Sequence, residues 1–239
     1  MKFLFASIIL VHGVIHLMGF AKAFGYGNIP QLTKDISKTA GTFWLATAIL
    51  FFISVMMLLL KKENWYLFAV IAAIVSQILI VGAWKDAKFG TLFNIIVALA
   101  VISAFAMQHF NSRFRRDVEI QLERTSNLTV DLLTEADLQP LPAPVQQYLR
   151  ITGSVDRPKV RNVRLVFDGE MRGKGKDWFK FRSVQYNFFD EPTRLFFMQA
   201  KMFSMPVPGY HRYQHEHASM RVKLLGLFTV MQAKGPEMD

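Results

Sequence analysis

Histidine is the side chain best suited to proton chemistry near neutral pH, and the chain holds six, with no cysteine beside them. Two of the six, His12 and His16, stand i,i+4 inside an apolar run and therefore share one helical face. An ionisable group at that depth turns inward and marks a candidate site by default. Haem would call for a second mid-membrane histidine on a facing helix, and His109 falls at the end of its segment. A metal would need a third ligand, and Gln77 and Asn94 are poor ones. The expectation is no cofactor and no metal. Two neutral imidazoles bonded to neighbouring helices stand as the main reading, with proton or ligand work on the same face as the alternative.

The other histidines carry less. His211, His215 and His217 share parity with Tyr213 along one extended run, so all four are expected on one face. At about 3.3 Å per residue, His215 and His217 could share a metal that His211 could not reach. An exposed polar strand face is the expected outcome. Asp86, between Lys85 and Lys88, reads as the N-cap of the helix that follows. Without cysteine there are no disulfides, thiolate metal sites or thiol nucleophiles, and the compartment stays open.

These residues need elements to hold them. The chain has 239 residues, 52% hydrophobic, with a net charge of +10. Its mean hydropathy is +0.24, too apolar for an average soluble domain. Few of the charges fall in the first 110 positions, so two regions with different solvents are expected. A bilayer core about 30 Å thick needs roughly 20 apolar residues in a helix. Four segments meet that length: 3–21, 40–60, 65–84 and 89–110. Trp65, Tyr66 and Trp84 mark interfacial ends. The links 61–64 and 85–88 are short enough to force antiparallel hairpins. One side of this bundle carries Lys2, Lys61, Lys62, Arg113, Arg115 and Arg116, and the other Lys22, Lys34, Lys38, Lys85 and Lys88. The arginine cluster tips the balance towards cytoplasmic termini. The N-terminus shows no cleavage signal and reads as a retained first helix.

Residues 111–127 continue as a juxtamembrane helix with an apolar stripe of Phe110, Phe114, Val118 and Leu122, lying on the membrane surface or on the soluble domain. The third part, 128–239, opens with the capping-box pattern Thr134–Asp137. A second helix starts at Pro144 and stops at Gly153. Arg150, near the end of that helix, is expected to pair with the sheet. From Val160 the apolar period becomes two, with strand-like runs at 160–168, 177–188, 194–203, 209–217 and 220–231. Turn signals include Gly173-Lys174-Gly175 and Pro206-Val207-Pro208-Gly209. No helical crossover fits between the runs, so an antiparallel meander follows. The fold class expected is an α+β membrane protein, a four-helix transmembrane bundle followed by that meander. The third run places large apolar groups on both faces, Phe196, Met198 and Met202 among them. In the second, the apolar phase switches between Phe181 and Val184. Either the sheet has a bulge and packs on both faces, or one face lines an apolar cavity.

A family resemblance also emerges. The stretch from Leu141 to Gly153, LPAPVQQYLRITG, resembles the LPxPVxxYLRxTG signature of an uncharacterised bacterial membrane-anchored family, a domain of unknown function. The KLLGL run ending at Leu227 and the terminal GPEMD resemble its second motif. The resemblance brings no activity with it. Members continue past GPEMD, which implies a chain truncated at Asp239. It also singles out Arg150 and the acid pair Glu237 and Asp239, the latter as candidates for general acid chemistry.

The leading functional expectation is a membrane-anchored protein whose β domain binds a lipid or other apolar molecule, with Phe196, Met198, Met202 and Arg150 as ligand candidates. The alternatives are a membrane enzyme using Glu237 and Asp239 or the His12–His16 pair, and a structural or interaction protein. The expected location is the bacterial cell membrane, multi-pass, with the C-terminal domain cytoplasmic. The bilayer is then the chief partner. Nucleic acid is not expected: despite a pI near 9.9, the C-terminal cations are scattered among acids.

Overall fold

The computed structural model describes residues 2–235. They fall into two compact units divided between His109 and Phe110, with the Leu225–Leu227 turn grouped with the first. The architecture is α+β, long apolar helices followed by one antiparallel sheet.

The first unit is built from α1 (Lys2–Phe24), α2 (Lys38–Leu59), α3 (Trp65–Gly82), the single turn α4 (Trp84–Ala87) and the start of α5 (Gly90–Ser126). α1, α2, α3 and α5 are long and apolar enough to cross a membrane. Their ends follow local chemistry. The Ser37 hydroxyl accepts from the Ala40 amide at 3.2 Å and opens α2. Gly25 takes φ 73° just past α1, and the Tyr26 amide closes back on the Ala21 carbonyl at 2.9 Å. Small residues let α1 and α2 approach closely. A Cβ on Gly41 would lie 2.3 Å from that of Ala23, the close backbone packing that membrane helices use in place of a hydrophobic drive. Ile9, Phe51, Ala69, Ala72 and Val97 form the centre of this core.

The second unit begins with the remainder of α5. Two short helices follow, α6 (Glu135–Leu138) and α7 (Ala143–Ile151). The sheet comprises β1 (Asn162–Met171), β2 (Phe179–Phe188), β3 (Thr193–Met202), β4 (Met205–Gln214), β5 (His217–Leu224) and β6 (Phe228–Lys234), in spatial order one to six. This is the meander expected, with six strands where five runs were read. Two differences have one cause. The β3–β4 turn falls at Phe203-Ser204 and the β4–β5 turn at His215-Glu216, all four residues at positive φ. Such two-residue turns match the twist of their strands but carry no glycine here to announce them. The run 220–231 is broken by a three-residue turn, Leu225–Leu227, with Leu225 and Gly226 at positive φ.

Pro206-Val207-Pro208-Gly209, expected as a turn, lies inside β4. Pairing explains why prolines are tolerated there. β4 meets β3 from Met205 onward, but meets β5 only from Gly209. Pro206 and Pro208 therefore sit where β4 has a neighbour on one side only, and their missing N–H groups interrupt no ladder on the open side.

One sheet face is covered by α5. Phe110, Phe114 and Val118 are buried against Phe188, Leu195 and Phe197, with Val184, Tyr186 and Tyr210 around them. Phe114 stacks on Phe197 with centroids 5.3 Å apart. Phe110, Phe114 and Val118 of the expected stripe thus belong to the sheet's core, while Leu122 stays exposed. The phase switch in β2 is settled without a bulge, because the β1–β2 and β2–β3 registers are unbroken. Val184, Tyr186 and Phe188 meet the helix, while Phe181 lies on the opposite face. The single register shift recorded in the sheet is at Val222/Lys223.

Candidate functional site

Polar side chains from α1, α3 and α5 converge inside the first unit. His12 Nε2 lies 3.0 Å from Asn94 Oδ1 and 3.3 Å from Ser76 Oγ. His16 Nδ1 lies 2.8 Å from the His12 carbonyl, and its Nε2 lies 2.9 Å from Ser76 Oγ. Asn94 Nδ2 reaches Ser76 Oγ and Gln77 Oε1, each at 3.0 Å. Gln77 Nε2 donates to Thr91 Oγ1 at 3.1 Å.

The partners dictate where the protons sit. A carbonyl only accepts, so His16 Nδ1 carries a hydrogen and its Nε2 receives the Ser76 hydroxyl. Both Asn94 amide hydrogens go to Ser76 and Gln77, which leaves Asn94 Oδ1 to accept from His12 Nε2. His12 Nδ1 then remains. It is buried and has no hydrogen-bond partner among the described residues, although the ring is only 1% exposed. No carboxylate is among the ring's hydrogen-bond partners, and an unpaired buried charge is costly. The ring is therefore neutral and Nδ1 is an unused acceptor. The Phe93 ring stacks on it at 5.3 Å.

His12 and His16 line a cavity of about 310 Å³ walled by Trp44, Ile80 and Phe93 and bordered by Gln31, Leu32 and Asp86. Asp86 is not the N-cap expected. It accepts from the Thr33 amide at 2.7 Å, the Thr33 hydroxyl at 2.8 Å and the Lys34 amide at 3.3 Å, and so ties down the loop that supplies Gln31 and Leu32. The Thr33 hydroxyl first, then the backbone amides and Lys85, hold its carboxyl below the ordinary aspartate range.

A second concavity, about 390 Å³, lies in the second unit between α5 and β4–β6. It is a product of register. Tyr210, Arg221 and Gln232 are paired across β4, β5 and β6, and Arg212, Ser219 and Lys234 form the next such row. α5 adds Arg113, Arg116 and Asp117 from above. Among the described residues, five cations thus line one pocket with a single carboxylate. That carboxylate is engaged: the Tyr210 hydroxyl donates to Asp117 at 2.5 Å, and Arg212 stands 4.0 Å away. Burial, then Asp117, push the Tyr210 phenol far above its usual range. Beside the pocket, Lys223 sits over the Phe110 ring at 5.4 Å. Burial lowers its pKa, and repulsion by Arg221 and Arg113 lowers it further. The scatter of cations in the sequence conceals this gathering, because only pairing brings them together.

The other expected residues are dispersed. Arg150 pairs with Glu135 of α6 at 2.8 Å, not with the sheet; α6 and α7 are sequence neighbours and meet first. Met198 is buried and Phe196 half-buried on the sheet face away from α5. Met202 lies at the far end of β3, beside Trp178 and Phe203. These residues do not form one apolar site with Arg150. His215 sits in a turn and His217 opens β5, so the four residues 211–217 do not share a strand face. Glu237 and Asp239 lie outside the described residues. Ser76, Thr91 and the whole cationic pocket were missed by sequence reasoning. A polar side chain inside an apolar span would have flagged the first two.

The model of a family of unknown function (DUF6544) matches residues 131–239. That stretch contains α6, α7 and the sheet, and the resemblance read from the LPAPVQQYLRITG motif agrees with it. No curated protein and no solved structure matches the chain.

Proposed function

We propose that the chain is a multi-pass membrane protein that binds an anionic, phosphate-bearing ligand, the head group of an anionic lipid, in the pocket between α5 and β4–β6. One observation carries this reading: Arg113, Arg116, Arg212, Arg221 and Lys234 line a single concavity whose one carboxylate among the described residues is already bonded to Tyr210. Arginine forks suit phosphate oxygens. Arg113 and Arg116 also follow directly on the apolar stretch of α5, where juxtamembrane cations meet anionic lipid. In this reading the β unit is on the cytoplasmic side of the cell membrane, on the strength of Arg113, Arg115 and Arg116. The lipid is recognised by charge rather than by the Phe- and Met-rich face of β3.

The test is calorimetric titration of the full chain in neutral detergent with short-chain phosphatidylglycerol, phosphatidylcholine and glycerol 3-phosphate. Phosphatidylglycerol should bind at least ten times tighter than phosphatidylcholine. The triple variant Arg212→Gln, Arg221→Gln, Lys234→Gln should remove that preference, and added salt should weaken it. Glycerol 3-phosphate binding as tightly as the lipid would make the ligand a soluble phosphate ester. Equal binding of both lipids, or an unaffected triple variant, would overturn the assignment.

A further inference from the structure

His12, one of the residues lining the cavity of the first unit, carries at Nδ1 a buried acceptor without a partner among the described residues. We propose that this cavity binds an uncharged ring bearing a hydroxyl group, a phenol or the hydroquinone form of a quinone head group, whose O–H donates to His12 Nδ1.

The chemistry of the ligand follows from what surrounds it. Trp44, Ile80 and Phe93 give apolar and aromatic walls, and a volume of about 310 Å³ is at the small end of the range of about 300–1,000 Å³ for small-molecule sites. A single ring fits that space. His12 Nε2 and both nitrogens of His16 are committed within the cluster, so the polar demand left on the two imidazoles is a donor for His12 Nδ1. A hydroxyl supplies it. A quinone carbonyl, which only accepts, would set lone pair against lone pair. Asp86 at the border disfavours an anion. Arrival from hydrocarbon is open as well, because Ile15 and Phe89, which line the cavity, are 42% and 76% exposed on the unit's outer surface.

Two fluorinated probes of equal size separate the hydroxyl from mere apolarity. 4-Fluorophenol and 4-fluorotoluene are titrated into the full chain in detergent micelles and followed by ¹⁹F NMR, with empty micelles as the baseline for partitioning. A saturable shift is expected for both, with the phenol at least about tenfold tighter, the effect of satisfying one buried acceptor. His12→Gln, which can keep an amide N–H towards Asn94 while removing the Nδ1 acceptor, should abolish the preference. Ile15→Trp, at a side chain already partly outside the packing, should block both probes by bulk. No saturable shift in the wild type, equal affinity for the two probes, a preference that survives His12→Gln, or undiminished binding by Ile15→Trp would each overturn the proposal.

Discussion

Asn94→Leu tests the polar network of the first unit at its most connected member. Asn94 is 6% exposed, accepts from His12, and donates to Ser76 and Gln77. Leucine has similar bulk, so the substitution removes three hydrogen bonds and leaves little cavity. Two scales give different magnitudes. In water-soluble proteins, stranding buried polar groups costs about 1–3 kcal/mol each, which would approach 9 kcal/mol here. Between membrane helices the measured average is about 0.6 kcal/mol per bond, because helices separated in lipid or detergent still find partners for these groups. With α1, α3 and α5 long and apolar enough to cross a membrane, the second reference state is the one to use, which gives about 2 kcal/mol.

SDS-induced unfolding of the full chain in mixed micelles, followed by tryptophan emission, measures it directly. Trp44 is a suitable reporter, its ring centred 5.0 Å from that of His16. Thr91→Val breaks only the bond from Gln77 and should cost about a third as much. A loss below about 0.5 kcal/mol for Asn94→Leu would refute the network. A loss well above 4 kcal/mol would refute the choice of reference state.

Three further outcomes follow. Phe114→Ala removes the ring stacked between Phe197, Tyr186 and Tyr210, and urea unfolding of the full chain read by near-UV circular dichroism should show the second unit weakened by about 3–5 kcal/mol; a loss under 1 kcal/mol would mean that α5 does not seal the sheet. Asp137 accepts from the Thr134 amide and hydroxyl and from Lys159, which lower its pKa from 3.8 to about 2. A depressed carboxylate stabilises the fold above its unfolded pKa and stops doing so as pH falls through the folded one. Corrected for the intrinsic pH dependence of exchange, amide protection around residues 134–137 should therefore fall between pH 4 and about 2, and Asp137→Asn should already lack it at pH 5; wild-type protection that is flat over that window would contradict the assignment. At Gly19 an added Cβ would stand 2.3 Å from the Trp44 indole, so Gly19→Ala should lower the midpoint of SDS unfolding by the equivalent of about 1–3 kcal/mol and shift Trp44 emission, whereas an unchanged midpoint would show that the two helices separate freely.

The helices were legible in the sequence because a long apolar run is a signal of length, and length tolerates error. Moving the start of α1 by two residues leaves His12 and His16 on one face, since their spacing alone decides it. A sheet has no such tolerance. Its sites are defined by which residues stand opposite one another, and every register is set by a turn. A turn centred between Val207 and Pro208 would have set Tyr210 opposite Met205. The actual turn at Phe203-Ser204 sets it opposite Phe197 and under Phe114. The turn at His215-Glu216 likewise separates His217 from the strand of His211 and brings Arg212 level with Ser219. Neither turn carries an Asn-Gly or Asp-Gly signal, because tight hairpins between well-packed strands can hold ordinary residues at positive φ. The cationic pocket was therefore hidden for a physical reason: Arg212, Arg221 and Lys234 become neighbours only through pairing across these turns. The histidine cluster was half visible, its two rings given by helical period and its Ser76 and Asn94 partners given only by how three helices rotate against one another.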